Sequence, residues 1–144
     1  MEIKGYNMPD DLYYHEEDTW AKVEQDGTVR VGMDDFYQKQ SGDITYVDLP
    51  FEGDTVNQGE TCGKLQSSKW VGKLIAPVTG EIVEVNSELE NDSRLINKDA
   101  YGSGWIMRIK PSNLEEELKN LSHGPDALNK FIADHIAKAE KGTS

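Results

Sequence analysis

Residues 63–85 constrain the fold more than any other part of the chain. The runs Cys62–Gln66 and Trp70–Ala76 read as strands that meet at a short polar tip, and Lys69 sits on that tip. The second run passes at once through Ala76-Pro77-Val78-Thr79-Gly80, a turn, into a third alternating strand, Gly80–Val85. A hairpin of this kind holds an amine out in solvent on a rigid backbone. Lys64 and Lys73 are the rival amines, but strand alternation places them on the hairpin arms, away from the tip.

The same strand-and-turn rhythm extends to both sides. Trp20–Val23 and Thr28–Val31 flank Asp26-Gly27, a strong hairpin signal. Ile44–Leu49 alternates until Pro50 stops it, and Trp105–Lys110 reads as the last strand. Asp34–Gln40 reads as a one- to two-turn helix with Phe36 inward, too short to stand without packing. Residues up to Asp18 read as a polar lead-in around the apolar patch Leu12-Tyr13-Tyr14. After Pro111 the period becomes helical. Ser112 and Glu115 have the spacing of a capping box, followed by Leu114, Leu118 and Leu121 on one face and a stop at Gly124-Pro125. A second helix, Asp126 to about Lys141, carries the stripe Leu128, Phe131, Ile132, Ile136 and Ala139. Gly142-Thr143-Ser144 is expected to fray.

Composition narrows the function classes. The chain has 144 residues, enough for a single core, with 15 Lys plus Arg against 27 Asp plus Glu and a formal net charge of -12. That excess repels phosphate backbones, so no nucleic-acid partner is expected. The start lacks the apolar segment of a signal peptide and no run reaches membrane-spanning length, so no membrane partner is expected and a cytoplasmic location is the default. Cys62 is the one cysteine, which rules out an intrachain disulfide, and a half-buried strand residue describes it better than a reactive thiol does. His15, His123 and His135 are scattered, and His135 falls along the apolar stripe, where a packed histidine is more usual than a ligand. No Ser/His/Asp grouping, phosphate loop or metal-ligand spacing is present, so no catalytic or metal residues are assigned and the chain reads as a non-enzyme.

Four blocks, in order, resemble the H-protein family of the glycine cleavage system, whose members are lipoyl-bearing carriers. They are Val31-Gly32-Met33-Asp34-Asp35-Phe36, Ser41-Gly42-Asp43-Ile44-Thr45-Tyr46-Val47-Asp48-Leu49-Pro50, Ile75–Asn86 with its Ala-Pro-Val-Thr-Gly-Glu core, and Leu95-Ile96-Asn97-Lys98-Asp99-Ala100-Tyr101-Gly102-Ser103-Gly104-Trp105. The resemblance implies a mainly β fold with α elements: a lipoyl/biotinyl-type flattened β-barrel (a hybrid barrel-sandwich) with short helices and C-terminal helices. It implies an H-protein-like lipoyl domain over 1–110, with a C-terminal helical extension, 111–144, packed on it. By the same match Lys69 is the lipoyl attachment residue and lipoate the covalent cofactor. Gln66, Ser67, Ser68 and Trp70 surround the arm.

The surroundings of the arm depart from the family's Glu-Ser-Val-Lys-Ala, reading Gln66-Ser67-Ser68-Lys69-Trp70, and the family's His-Glu-Trp is here Asp18-Thr19-Trp20. A kept framework with a changed arm surface is what redirection to other partners would produce. The resemblance therefore leans towards an H-like carrier of bacterial sulfur oxidation, working with a heterodisulfide-reductase-like complex. The alternative is the glycine cleavage carrier proper, partnered by glycine decarboxylase and aminomethyltransferase. Either would need a lipoate–protein ligase or lipoyl transferase, and dihydrolipoamide dehydrogenase. A biotinyl carrier shares the hairpin logic, but its lysine usually sits between methionines, where this chain has Ser68 and Trp70. An unmodified scaffold is the remaining alternative. Trp70 could shield the arm, meet a partner or pack across the hairpin.

Overall fold

The computed structural model describes residues 1–142. The lead-in is not a loose arm. It forms a small hairpin, β1 (Glu2–Ile3) with β2 (Tyr6–Asn7), and then β3 (Tyr13–Tyr14), with Ile3, Met8, Leu12 and Tyr14 buried. β4 (Thr19–Val23) and β5 (Val29–Met33) pair across Asp26-Gly27, where Gly27 takes φ 88° and Asp26 accepts hydrogen bonds from Thr28 N and Oγ1. α1 (Asp35–Ser41) starts at Asp34, whose Oδ1 accepts from Tyr37 N at 2.9 Å, and it buries Phe36 as its pattern predicts. There follow β6 (Ile44–Asp48), β7 (Thr55–Val56), β8 (Thr61–Ser67), β9 (Val71–Ile75) and β10 (Gly80–Val85). A 3₁₀ turn (Ser87–Glu90), α2 (Leu95–Lys98), β11 (Met107–Pro111), α3 (Leu114–Leu118) and α4 (Pro125–Gly142) complete the chain.

The strands make three antiparallel sheets: β1-β2, a six-stranded sheet in the order β3-β4-β5-β11-β10-β7, and a three-stranded sheet in the order β6-β8-β9. This corrects the flattened-barrel expectation. The fold is mixed α/β, and among the described residues no sheet closes on itself. Closure would require the six-stranded sheet's two edges, β3 and β7, to pair, and they do not. β3 is two residues long and its outer edge is taken by Ser122, with Tyr14 N to Ser122 O and Ser122 N to Tyr14 O both 2.8 Å. β7 is equally short and pairs only β10. The larger and the three-stranded sheets instead share one core, in which Val29, Val31, Ile82, Met107 and Ile109 meet Ile44, Val47, Leu65 and Leu74.

A second core lies under the lead-in, with Ile3, Met8, Leu12, Tyr14, Trp20 and Phe36 packed against Leu128, Phe131 and Ile132 of α4. The predicted stripe thus falls on the buried face of α4, and Pro125 opens that helix where a missing N–H does no harm. The capping box does not form. The cap of α3 is Asn113, without a side-chain bond, because Ser112 N is drawn to Thr79 O at 3.0 Å as β11 ends. α3 is fastened instead by Glu117, which accepts from Thr79 N and Thr79 Oγ1 at 2.7 and 2.5 Å. Of the expected terminal fraying, Gly142 falls within α4, while Thr143 and Ser144 lie outside the described residues. Among the described residues no helix is long and apolar enough to cross a membrane.

Candidate functional site

β8 and β9 form the hairpin that the alternation predicts, in the register Gln66↔Val71, Leu65↔Gly72, Lys64↔Lys73. Ser67 and Trp70 close it, with Ser67 N donating to Trp70 O at 2.9 Å, and Ser68-Lys69 is the tip. Two-residue hairpins normally use left-handed residues. Here the only non-glycine residues at positive φ among those described are Lys4 and Asp18. The turn is held by Ser67 Oγ instead, which accepts from Lys69 N and from Trp70 N, each at 3.2 Å, and donates to Trp70 O at 3.2 Å. Ser68 Oγ makes none of these bonds.

The tip leans on the C-terminal end of α1. Lys69 Nζ lies 3.4 Å from Gln40 O, and the side chain is otherwise exposed. Gly42, at φ 76°, leaves room for Ser68 Oγ and Lys69 Cε. The hydroxyl end of Tyr37 reaches β9, so that a Cβ on Gly72 would collide with it. Burial pushes the Tyr37 phenol up from its ordinary value, and a polar contact from the Trp70 indole pulls it partly back. Trp70 therefore stands beside α1 rather than across the hairpin, 45% exposed. Alternation did not flag Tyr37, Gln40 or Gly42. The one available signal was Gly72, since an isolated glycine inside a strand marks close approach of another group.

A cleft of roughly 420 Å³ opens next to Trp70. It is lined by Phe36, Tyr37, Trp70 and Ala139 together with the polar or charged Gln40, Glu16, Glu17, Asp18, His135 and Lys138. His135 is packed, as its position on the stripe predicts. Its Nδ1 is 2.8 Å from Phe131 O, and its Nε2 is 2.7 Å from Glu16 O and 3.1 Å from Asp18 Oδ1. Every one of those partners can only accept, so both ring nitrogens are satisfied only when both carry hydrogen. Burial opposes the charge, but the Asp18 hydrogen bond and charge, with the Glu16 and Phe131 carbonyls, raise the imidazole above 6.5. Asp34, fully buried, is raised well above the ordinary carboxylate value by burial and then by the charge of Asp18.

A group whose proton affinity is higher in the folded state contributes stability that is complete below its unfolded pKa and lost as pH rises through the folded one. Urea denaturation should therefore show stability declining as pH rises from about 6.5 through the raised His135 value. A tenfold gain in proton affinity corresponds to about 1.4 kcal/mol. His135→Gln should flatten that part of the profile; an unchanged slope would show that the imidazolium contacts contribute nothing.

Cys62 is half-buried on β8, its Sγ 3.4 Å from Leu74 O, and burial pushes its thiol up to about 12. It is not a thiolate near neutral pH. Lys64 and Lys73 lie opposite each other on the arms, clear of the tip. Among the described residues, no group of three or more His, Cys, Asp or Glu is placed to hold a metal ion.

The family model for glycine cleavage H-protein matches residues 12–135. A probable glycine cleavage system H protein from Pyrococcus abyssi is 50% identical over 121 residues, 84% of this chain and 90% of that protein. The glycine cleavage system H protein of Marinobacter nauticus is 41% identical over 133 residues, 92% of this chain and 98% of that one. A crystal structure of a glycine cleavage system H protein from Mycobacterium marinum superposes with a TM-score of 0.69 at 36% identity, covering 78% of this chain and 97% of that one.

Proposed function

The chain belongs to the glycine cleavage H-protein family, and from that premise we propose that it carries a lipoyl arm on Lys69 in glycine cleavage. Family members are carriers and not enzymes, and this chain is a carrier of that type. The observation that carries the assignment of the residue is the exposed Lys69 side chain on a hairpin tip whose backbone is fixed by Ser67, Tyr37 and α1.

The surroundings fit such a group. An amide at Lys69 Nζ would remove the ammonium charge, and among the described residues the one polar contact it would disturb is the 3.4 Å approach to Gln40 O. Phe36, Tyr37 and Trp70 contribute apolar surface to an adjoining cleft whose lining is otherwise mostly polar or charged, and would be the residues to contact a dithiolane there. When bound, lipoate supplies thiol–disulfide chemistry, accepting a group or two electrons at one enzyme and releasing them at another. The protein's own part is to hold the attachment point rigid and exposed. No acid, base or nucleophile is required of it, which accords with the raised thiol of Cys62.

The relatives support glycine decarboxylase, aminomethyltransferase, dihydrolipoamide dehydrogenase and a lipoate-attaching enzyme as partners. They lend nothing to the sulfur-oxidation reading suggested by Gln66, Ser68 and Trp70. Those three positions alter the surface of the tip, while its backbone support comes from elsewhere. Intact mass with fragmentation, on protein from its native host, tests the reading. A lipoyl adduct on Lys69 is expected; an unmodified Lys69 in cells that lipoylate their other carriers would retire it.

A further inference from the structure

The exposed face of the three-stranded sheet carries a feature that the carrier reading leaves unused. Side chains alternate along strands, so Tyr46, Gln66 and Val71 form one cross-strand row beside the tip, and Asp48, Lys64 and Lys73 form the next. All six are exposed, Tyr46 by 57% and Val71 by 61%. The opposite face of the same hairpin is core, with Leu65 and Leu74 buried.

Two observations mark this face as more than an ordinary solvated surface. Lys64 and Lys73 are direct cross-strand partners, an arrangement that destabilises a sheet, and Asp48 opposes Lys64 alone. Among the described residues neither lysine is in an ion pair, in a chain with ample acid to provide one. Moreover, Thr61 to Gly80 contains Lys64, Lys69 and Lys73 and no Asp or Glu, although the chain has 27 acidic residues. The hairpin strands and tip therefore carry three positive charges and no negative one on a protein of net charge -12, with Asp48 beside Lys64 and Glu16, Glu17 and Asp18 across the cleft from the sheet face. Screening over about 8 Å lets the local sign prevail at contact.

Resting on the carrier reading, we propose that this face is the docking surface for the enzyme that attaches lipoate to Lys69. The matching surface on that enzyme is an apolar patch rimmed by carboxylates. Geometry makes the encounter unavoidable. An enzyme that acylates Lys69 Nζ must close over the tip, and a standard interface covers about 800 Å² per partner, a disc of roughly 16 Å radius. Lys64 and Lys73 stand three residues behind the closing pair Ser67 and Trp70, about 10 Å at ~3.4 Å per residue. They fall inside that disc together with Tyr46, Trp70 and Val71.

The test is steady-state transfer of lipoate onto the full-length apo-protein by a lipoate–protein ligase with ATP, which activates the carboxyl as an acyl-adenylate so that pyrophosphate and then AMP leave, followed by mass spectrometry at low and at high salt. Lys64→Glu/Lys73→Glu should raise KM on the order of tenfold at low salt, leave kcat unchanged and abolish the salt dependence. The control Lys22→Glu/Lys119→Glu makes the same change in net charge on β4 beside the Asp26 turn and on α3, and should leave KM within twofold. Lys73→Glu alone sets opposite charges face to face across β8 and β9. It should raise both Tm and KM, a combination that a merely structural role for Lys73 would not give. Equal KM in the double variant and wild type would overturn the proposal, as would an equal effect from the control. Absence of any adduct on wild-type Lys69 would retire the carrier reading itself; an adduct formed with unaltered kinetics retires only the docking face.

Discussion

Arginine in place of Lys69 should abolish lipoylation and lower carrier activity in a reconstituted glycine-cleavage assay by roughly a thousandfold or more. Arginine keeps the length and positive charge, but its guanidinium stays protonated and offers no nucleophilic amine for acylation. Stability should change by less than about 0.5 kcal/mol, since the side chain is exposed and its one polar contact is at 3.4 Å. Intact mass and urea denaturation on the same sample separate the two effects. The alternative outcome is specific: a lipoyl adduct persisting in Lys69→Arg would locate the arm on Lys64 or Lys73, and the account of the tip would fall.

The largest effect on stability is expected at Trp20. Trp20→Ala should destabilise the fold by about 4 kcal/mol, read as a lower urea midpoint with an unchanged m-value. Trp20 is fully buried on β4, its Nε1 donates to Ala100 O at 3.0 Å, and its ring packs against Tyr101 at 5.9 Å between centroids. Gly32 on the neighbouring strand is shaped around it, since a Cβ there would lie 2.7 Å from three indole atoms. Truncation empties a space that the surrounding β strands cannot close and leaves the Ala100 carbonyl without its donor. Trp20→Phe fills most of the volume but lacks the N–H, so it should recover more than half of the loss. Recovery of none would mean that the hydrogen bond, and not packing, dominates.

What was legible in the sequence follows from the range of the forces involved. The hairpin, the Asp26-Gly27 turn, α1 with Phe36 inward and the stripe of α4 are set by contacts within a few residues, so period and turn chemistry reveal them. The burial of Ile3 and Met8 depends on α4 arriving from the other end of the chain, and no local pattern announces it. The capping box failed for a related reason: Thr79, far away in sequence, claims Ser112 N before the helix can. The flattened barrel was carried over from the resemblance to known carriers, whereas the edges that keep the sheets open are decided by Ser122 and by the two-residue length of β7. Lys69 was readable as a tip residue. Its supports, Tyr37 and Gln40, come from an element thirty residues upstream and were not.

The division of labour at the tip bears on how such a chain can drift over generations. Ser67 alone supplies the side-chain oxygen that shapes the turn, while α1 and Gly72 hold it from outside. Position 68 is thus free of any backbone duty, and position 66 only has to be a strand residue. Such sites can accumulate substitutions without disturbing the conformation that a modifying enzyme meets. A lineage could change the chemical lettering around its anchor while inheriting the anchor's geometry whole, so that altered flanks record neutral wandering as readily as a change of trade.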